Sequence, residues 1–194
     1  MIRVGLFGGT FDPIHNGHLH VARTAKKMCG LDDIIFIPAK ISPMKTDRVP
    51  HASANDRLEM VRLAIGEEFS VSEIEVKKEG ASYTIDTVRA FLEATGESVE
   101  YHLLLGADSV EHFAQWKEAP SLIELAPPIV VTRKGFEPEG KKIVGMKILS
   151  LPTVDISSTE IRSSLESDSC KRESLPAKVL DYIRANRLYS LPNE

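Results

Sequence analysis

The chain has 194 residues, 42% hydrophobic and 27% charged, a balance found in globular proteins and outside the ranges of disordered, collagen-like or fibrous chains. Lys and Arg number 24 against 28 Asp and Glu, a net charge of −4, which argues against a nucleic-acid polymer as partner because phosphate-backbone binders carry a basic excess. A small polyphosphate remains open, since a few local cations and backbone amides suffice for it. The N-terminal apolar stretch is too short for a secretory signal, and no apolar run approaches the ~18 residues of a membrane span. Cys29 and Cys170 stand alone, with no metal or disulfide pattern, which fits a reducing compartment. The expectation is one cytoplasmic domain over residues 1–194, with a C-terminal helical segment and no membrane partner.

Residues 2–7 form a short apolar run ended by two glycines and read as a strand. After a loop, residues 16–29 carry apolar side chains at 19, 22, 25, 28 and 29, a helical spacing, with Gly30 suited to the left-handed position that closes the helix. Residues 34–37 read as a second buried strand ending at Pro38. Ser53 with Asp56 can cap a helix running to about residue 65, followed by a strand at 71–76 and a helix at 85–94 closed by Gly96. Residues 101–105 and 129–131 are further short strands, and 176–187, apolar at 177, 179, 180 and 183, make a closing helix. The segments 39–50, 135–142 and 167–174 concentrate polar residues, Pro and Gly and are expected to be least ordered.

Strands alternating with helices imply right-handed crossovers and a parallel sheet covered on both faces, hence a Rossmann-like, doubly wound α/β domain. Ligands of such sheets sit beyond the carboxyl ends of the strands, so the loops after Phe7, Ile37, Leu105 and Val131 are where chemistry should gather.

The loop after the first strand carries the sharpest signal, Gly8-Gly9-Thr10-Phe11-Asp12-Pro13-Ile14-His15-Asn16-Gly17-His18. Glycines there let backbone N–H groups approach an anion, and the N-terminus of the following helix adds partial positive charge. Neither the dinucleotide nor the P-loop fingerprint is matched. What is present is a histidine pair three residues apart, and His15 and His18 share one side of the first helical turn. Read alone, the glycines could be a tight turn and the histidines surface or core residues. The whole string resembles the signature of the nucleotidyltransferase superfamily, with His15-Asn16-Gly17-His18 matching its T/H-x-G-H motif.

Far along the chain, Ile156-Ser157-Ser158-Thr159-Glu160-Ile161-Arg162 resembles the ISSTxIR motif of the same superfamily. Ser157 with Glu160 is equally an ordinary capping box. The amides and hydroxyls of such a cap, with Arg162 one turn in, are also what a triphosphate would select.

Gly80-Ala81-Ser82-Tyr83-Thr84-Ile85-Asp86-Thr87-Val88, Leu105-Gly106-Ala107-Asp108, Trp116, and a tail with Tyr182, Asn186 and Leu188-Tyr189 narrow the likeness. They resemble the bacterial nicotinate-nucleotide adenylyltransferases over nearly the whole chain. That resemblance implies ATP and nicotinate mononucleotide as substrates. Thr84 would then hold the pyridine carboxylate and Trp116 stack on the ring, while Gly106 and Asp108 line the adenosine site and Lys45 sits near the transferred phosphate. Arg133 would also face the substrate. By themselves, Trp116 reads as a packing aromatic, Thr84 as a helix N-cap and Lys45 as a solvated loop residue. Three positions depart from the family pattern. Met44 replaces a histidine before Lys45, His112 stands where a tyrosine often precedes the tryptophan, and Lys134 replaces the proline after Arg133.

The implied chemistry is adenylyl transfer, in which a phosphate oxygen of the mononucleotide attacks the α-phosphorus of ATP in line and pyrophosphate leaves. No protein nucleophile is needed, because the attacking phosphate is already ionised; the protein aligns two anions and stabilises developing charge. His18 and Lys45 are expected at the α-phosphate and His15 at orientation. Gly8, Gly9, Thr10 and Phe11 would cradle the nucleotide, with Ser157, Ser158, Thr159 and Arg162 at the β- and γ-phosphates. Mg2+ would be held mainly by ATP phosphates and water, with no protein metal site. The competing readings are pantetheine-phosphate adenylyltransferase, against which His15, Trp116 and Ser82-Tyr83-Thr84 argue, and a non-catalytic nucleotide-binding module. Association into homo-oligomers is left open.

Overall fold

A computed structural model describes residues 1–40, 49–133, 146–151, 156–167 and 173–189. Its centre is a six-stranded sheet in the order β3-β2-β1-β4-β5-β6, and every neighbouring pair is parallel. The strands are β1 (Ile2–Gly9), β2 (Asp33–Pro38), β3 (Ser70–Val71), β4 (Val99–Gly106), β5 (Ile129–Arg133) and β6 (Lys147–Leu151). The helices are α1 (Asn16–Cys29), α2 (Ala54–Ile65), α3 (Ile74–Lys77), α4 (Thr84–Thr95), α5 (Ala107–Phe113), α6 (Ala119–Leu125), α7 (Ser158–Glu166) and α8 (Ala177–Ala185). None is long and apolar enough to cross a membrane among the described residues.

The apolar runs become central strands because both faces of the sheet are covered. Phe7 and Leu104 pack into one core with Leu19, Ala22 and Ala25 of α1 and Val179, Leu180 and Ile183 of α8. Val4, Leu6, Tyr101, Leu103 and Leu105 point the other way, against Ile85 and Val88 of α4, Phe113 and Leu122. Alternate residues of β1 and β4 therefore serve opposite cores, as a period of two requires.

The chain order reverses beside β1, which has β2 on one flank and β4 on the other. This is the switch point of a doubly wound sheet, where the loops leaving adjacent strands diverge and open a crevice. The loop after Gly9 and the β4–α5 junction at Gly106 border it.

The expected strands at 2–7, 34–37, 101–105 and 129–131 are present with slightly wider bounds, and α1 closes at Gly30 in the left-handed conformation (φ 62°). The expected strand at 71–76 is corrected: only Ser70 and Val71 pair with β2, and Ile74–Lys77 winds into one helical turn. The turn buries Glu75 so that its carboxylate accepts from the Thr87 hydroxyl at 2.8 Å, which a continued edge strand would not do. The pattern also passes over α5, α6 and β6, of seven, seven and five residues, because elements this short carry no legible period. The segment 135–142, most of 39–50 and the 168–172 portion of 167–174 lie outside the described residues, as do Lys45, Met44, Lys134 and Cys170.

Candidate active site

The loop from Thr10 to His15 and the first turn of α1 lie at the carboxyl end of β1. His15 is the N-cap of α1 and is 6% exposed. Burial pulls its pKa down from the usual imidazole range to about 4, so the ring is neutral near pH 7. The His15 and His18 rings stack with centroids 3.7 Å apart. The His15 backbone N–H donates to His18 Nδ1 at 3.3 Å. An Nδ1 that accepts leaves the proton of a neutral ring on Nε2, the nitrogen from which it can be donated. Phe11 stands edge-on to His18 at 5.1 Å and to Phe7 at 5.6 Å, which fixes the ring's other side.

Gly17 owes its place in the histidine string to this packing. A Cβ there would stand 2.9 Å from His15 Nδ1 and 3.0 Å from Cε1, so any side chain would displace the ring. Gly8 and Gly106 differ: a Cβ on either would meet nothing within 4 Å, and neither has a positive φ. The protein's own packing does not require glycine at these two crevice positions.

The two distant motifs meet. Arg162 Nη1 donates to the Asp12 carbonyl at 2.7 Å and Nη2 to the Thr159 hydroxyl at 3.3 Å. Ser158 Oγ donates to the Pro13 carbonyl at 3.0 Å. Ser157 Oγ accepts from the Glu160 N–H at 3.2 Å, so the side-chain N-cap of α7 is formed as well. Helix α7 thus abuts the loop before His15, and part of its polar equipment holds that loop.

Asp12 is the hub on the loop's other side. Its buried carboxylate accepts from the His51 N–H at 2.8 Å, the Ala52 N–H at 3.1 Å and the Tyr189 hydroxyl at 2.8 Å. Burial and the Asp12 charge push the Tyr189 phenol well above its ordinary range. The Asn16 N–H and side-chain amide bond the Ser174 and Glu173 carbonyls at 3.0 and 2.8 Å. Sequence reasoning missed Asp12 as an anchor because its partners lie up to 177 residues away.

A second group of expected residues gathers at α4. Thr84 is its first residue, and Tyr83 takes the N-cap position without a side-chain cap, so the reading of Thr84 as N-cap is corrected. Trp116 is half-buried and tilts against Phe113, ring centroids 5.3 Å apart. The segments carrying Thr84 and Trp116 are tied by Lys117, which bonds Asp86 at 3.1 Å and covers the Tyr83 ring at 4.8 Å, and by Arg89, which forks onto Glu118 at 2.6 and 3.2 Å. Lys78 bonds Asp86 at 2.8 Å, and the two lysines, Lys78 first, hold the Asp86 pKa below its usual value. Gly106 ends β4 as the N-cap of α5, on whose first turn Asp108 stands; Arg133 is the last residue of β5. Among the described residues no cluster of three His, Cys, Asp or Glu side chains could hold a metal ion.

Sheet order, switch point and the joined histidine and ISSTxIR segments define an α/β protein of the nucleotidyltransferase fold. The comparisons agree: a family model described as cytidylyltransferase-like matches residues 6–164, and the chain belongs to that family. A Herpetosiphon aurantiacus protein named "Probable nicotinate-nucleotide adenylyltransferase" is 38% identical, covering 97% of this chain and 99% of its own. A Neisseria meningitidis protein of the same name is 40% identical with the same coverage. Among solved structures, the nicotinic acid mononucleotide adenylyltransferase of Plasmodium falciparum complexed with NaAD superposes with a TM-score of 0.78 at 19% identity, over 97% of this chain and 98% of that one. At that identity it speaks for the fold.

Proposed function

We propose that this chain transfers the adenylyl group of ATP to nicotinate mononucleotide. An oxygen of the mononucleotide's 5′-phosphate bonds to the α-phosphorus of ATP, the bond from that phosphorus to the α,β-bridging oxygen breaks, and pyrophosphate leaves. The observation that carries the reading is the meeting of the histidine loop with the Ser157–Arg162 segment at the switch point, in a chain 38–40% identical over its length to relatives of that name.

The crevice bordered by Gly8 and Gly106 receives the nucleotide, since both glycines leave open space that their own surroundings do not demand. Gly9, Thr10 and Phe11 bring backbone amides to it, and Asp108 on α5 lines the adenosine side. His18, with its ring proton on Nε2, donates to the α-phosphate as charge develops there. His15, kept neutral by burial, orients His18 through the stacked rings. Lys45 adds its charge at the transferred phosphate. The Ser157–Thr159 turn and Arg162 receive the β- and γ-phosphates, using the donors that the Asp12 and Pro13 carbonyls leave unclaimed. Thr84 at the start of α4 and Trp116 recognise the pyridine carboxylate and ring, and Arg133 closes the mononucleotide side. Magnesium bound to the phosphate oxygens of ATP and to water would offset the charge of the triphosphate.

The test is pyrophosphate release from ATP with nicotinate mononucleotide, nicotinamide mononucleotide or phosphopantetheine as acceptor. Release with the first at least tenfold more efficient than with the others supports the reading. Preference for phosphopantetheine, or release with none, overturns it.

A further inference from the structure

Among the described residues, one fully buried charge has no part in the chemistry above. Arg57, in the first turn of α2, is 1% exposed, and a guanidinium is rarely buried unless paired. Its described partners are four backbone carbonyls rather than a carboxylate. Nη1 donates to Thr10 at 2.6 Å and to Ala39 at 2.7 Å, Nη2 to Lys40 at 3.3 Å, and Nε to Ala52 at 3.3 Å.

Three of those carbonyls lie where two loops begin, and the fourth, that of Ala52, lies just before α2. Thr10 follows β1 and Ala39 and Lys40 follow β2, adjacent parallel strands that end at the crevice; the Ala39 N–H also bonds the Gly9 carbonyl at 2.9 Å. The compensating charge is Asp12, two residues beyond Thr10, whose carboxylate is held by the amides of His51 and Ala52 just before α2. A buried charge satisfied this way is a poor device for stability alone, since well-packed apolar residues commonly serve as well. A planar fork reaching several carbonyls does something an apolar side chain cannot: it sets the distance and orientation of the loops that supply them.

We propose that Arg57 is a positioning residue, clamping the loops after β1 and β2 to each other and orienting the Thr10–Phe11 peptide that faces the phosphates. The proposal rests on the adenylyl-transfer reading for its kinetic part only. Bonding at the Thr10 carbonyl holds the plane of that peptide and polarises it, so the Phe11 N–H is presented to an anion in one orientation. Lysine keeps the charge but is a point donor with no planar fork, and cannot reproduce the set of bonds.

The test uses the full chain with Arg57→Lys and Arg57→Met. Val179→Ala, in the core under α8, serves as a control for simple destabilisation. Hydrogen exchange of the unliganded proteins is followed in peptides spanning residues 8–18 and 36–40, beside kcat and KM. Arg57→Lys is expected to raise exchange at least tenfold in both peptides and to lower kcat at least tenfold, with each KM changed less than threefold. Val179→Ala, compared at the same remaining thermal stability, should do neither. If Arg57→Met does not fold, Arg57→Lys carries the test. Exchange unchanged in either loop, or a kcat within twofold of the unmodified chain, overturns the proposal. Should the unmodified chain release no pyrophosphate with any acceptor, the functional reading fails, and the clamp stands or falls on the exchange of the two loops alone.

Discussion

The Tyr189 hydroxyl donates to the Asp12 carboxylate at 2.8 Å, joining the end of the described chain to the loop that carries the histidine pair. Through this bond the turn after α8 reaches the switch point. Asp12 passes the restraint to its own peptide, whose carbonyl Arg162 holds.

Removing that hydroxyl tests how far the restraint matters. Tyr189→Phe leaves Asp12 Oδ1 with one donor fewer in a buried setting, a change that costs ~1–3 kcal/mol. The midpoint of urea unfolding should fall accordingly with an unchanged slope. Because the phenol's ionisation is pushed far upward, the loss should be the same at pH 7 and pH 9. A loss confined to one of these conditions would contradict the assignment.

The His15 ring gives a pH dependence whose sign is determined. Its folded pKa of about 4 lies below the 6.5 of an unfolded imidazole, so the unfolded chain binds the proton more tightly. The contribution to stability is complete above about pH 6.5 and is lost as pH falls toward 4. The fall from 6.5 to about 4 amounts to on the order of 3 kcal/mol. Urea unfolding at pH 5 and pH 7.5 should show a difference in the unmodified chain that shrinks in His15→Gln. An identical difference in both would place the titration elsewhere.

Gly17→Ala should separate activity from folding. The added methyl would lie 2.9 Å from His15 Nδ1, and the ring rather than the helix is the part able to move. A displacement near 1 Å at a group that orients the reacting centre costs ~10²-fold in rate. The expected result is a kcat lowered at least tenfold with an unchanged far-ultraviolet dichroism spectrum. His18→Ala should lower kcat by ~10² for the related reason that a donor to transition-state charge is lost. A loss under threefold in the second variant would remove His18 from the reaction.

Arg162→Ala should raise the KM for ATP more than that for the mononucleotide, as a charge-assisted contact to the triphosphate contributes ~1.5–3 kcal/mol. The bond from Arg162 to the Asp12 carbonyl adds a fall in kcat. A lower melting temperature with both kinetic constants unchanged would leave this segment as a helix cap and loop tie only.

The proposed recognition of the pyridine by Thr84 and Trp116 predicts a preference between substrates differing in one group. An amide in place of a carboxylate turns an acceptor into a donor and strands the site's N–H groups, at ~1–3 kcal/mol. kcat/KM for nicotinate mononucleotide should therefore exceed that for the nicotinamide form by at least ~10-fold, at ~1.4 kcal/mol per decade. Trp116→Ala should weaken both, because stacking does not read the carboxylate. Thr84→Val should narrow the ratio. Equal efficiency in the unmodified chain would withdraw selection for the acid.

Local rules were enough for the long central elements. The run at residues 2–7 and the spacing at 19, 22, 25, 28 and 29 follow from burial on a period of two and of 3.6, and both appear as β1 and α1. The same information made the histidine string legible as a loop leading into a helix. It did not separate Ser70–Val71 from the helical turn at Ile74–Lys77, because the choice depends on where Glu75 finds Thr87, twelve residues on. Nor did it reveal Asp12 and Arg57: a carboxylate and a guanidinium in polar surroundings look like solvated charges until the fold closes over them. Periodicity reports which faces are apolar, and so determined the long central strands and the longer helices that cover them. Which loops touch depends on closing the chain over distances such as the 150 residues between Arg162 and Asp12 and the 47 between Arg57 and Thr10. No local preference encodes those contacts, and only the tertiary structure decided them.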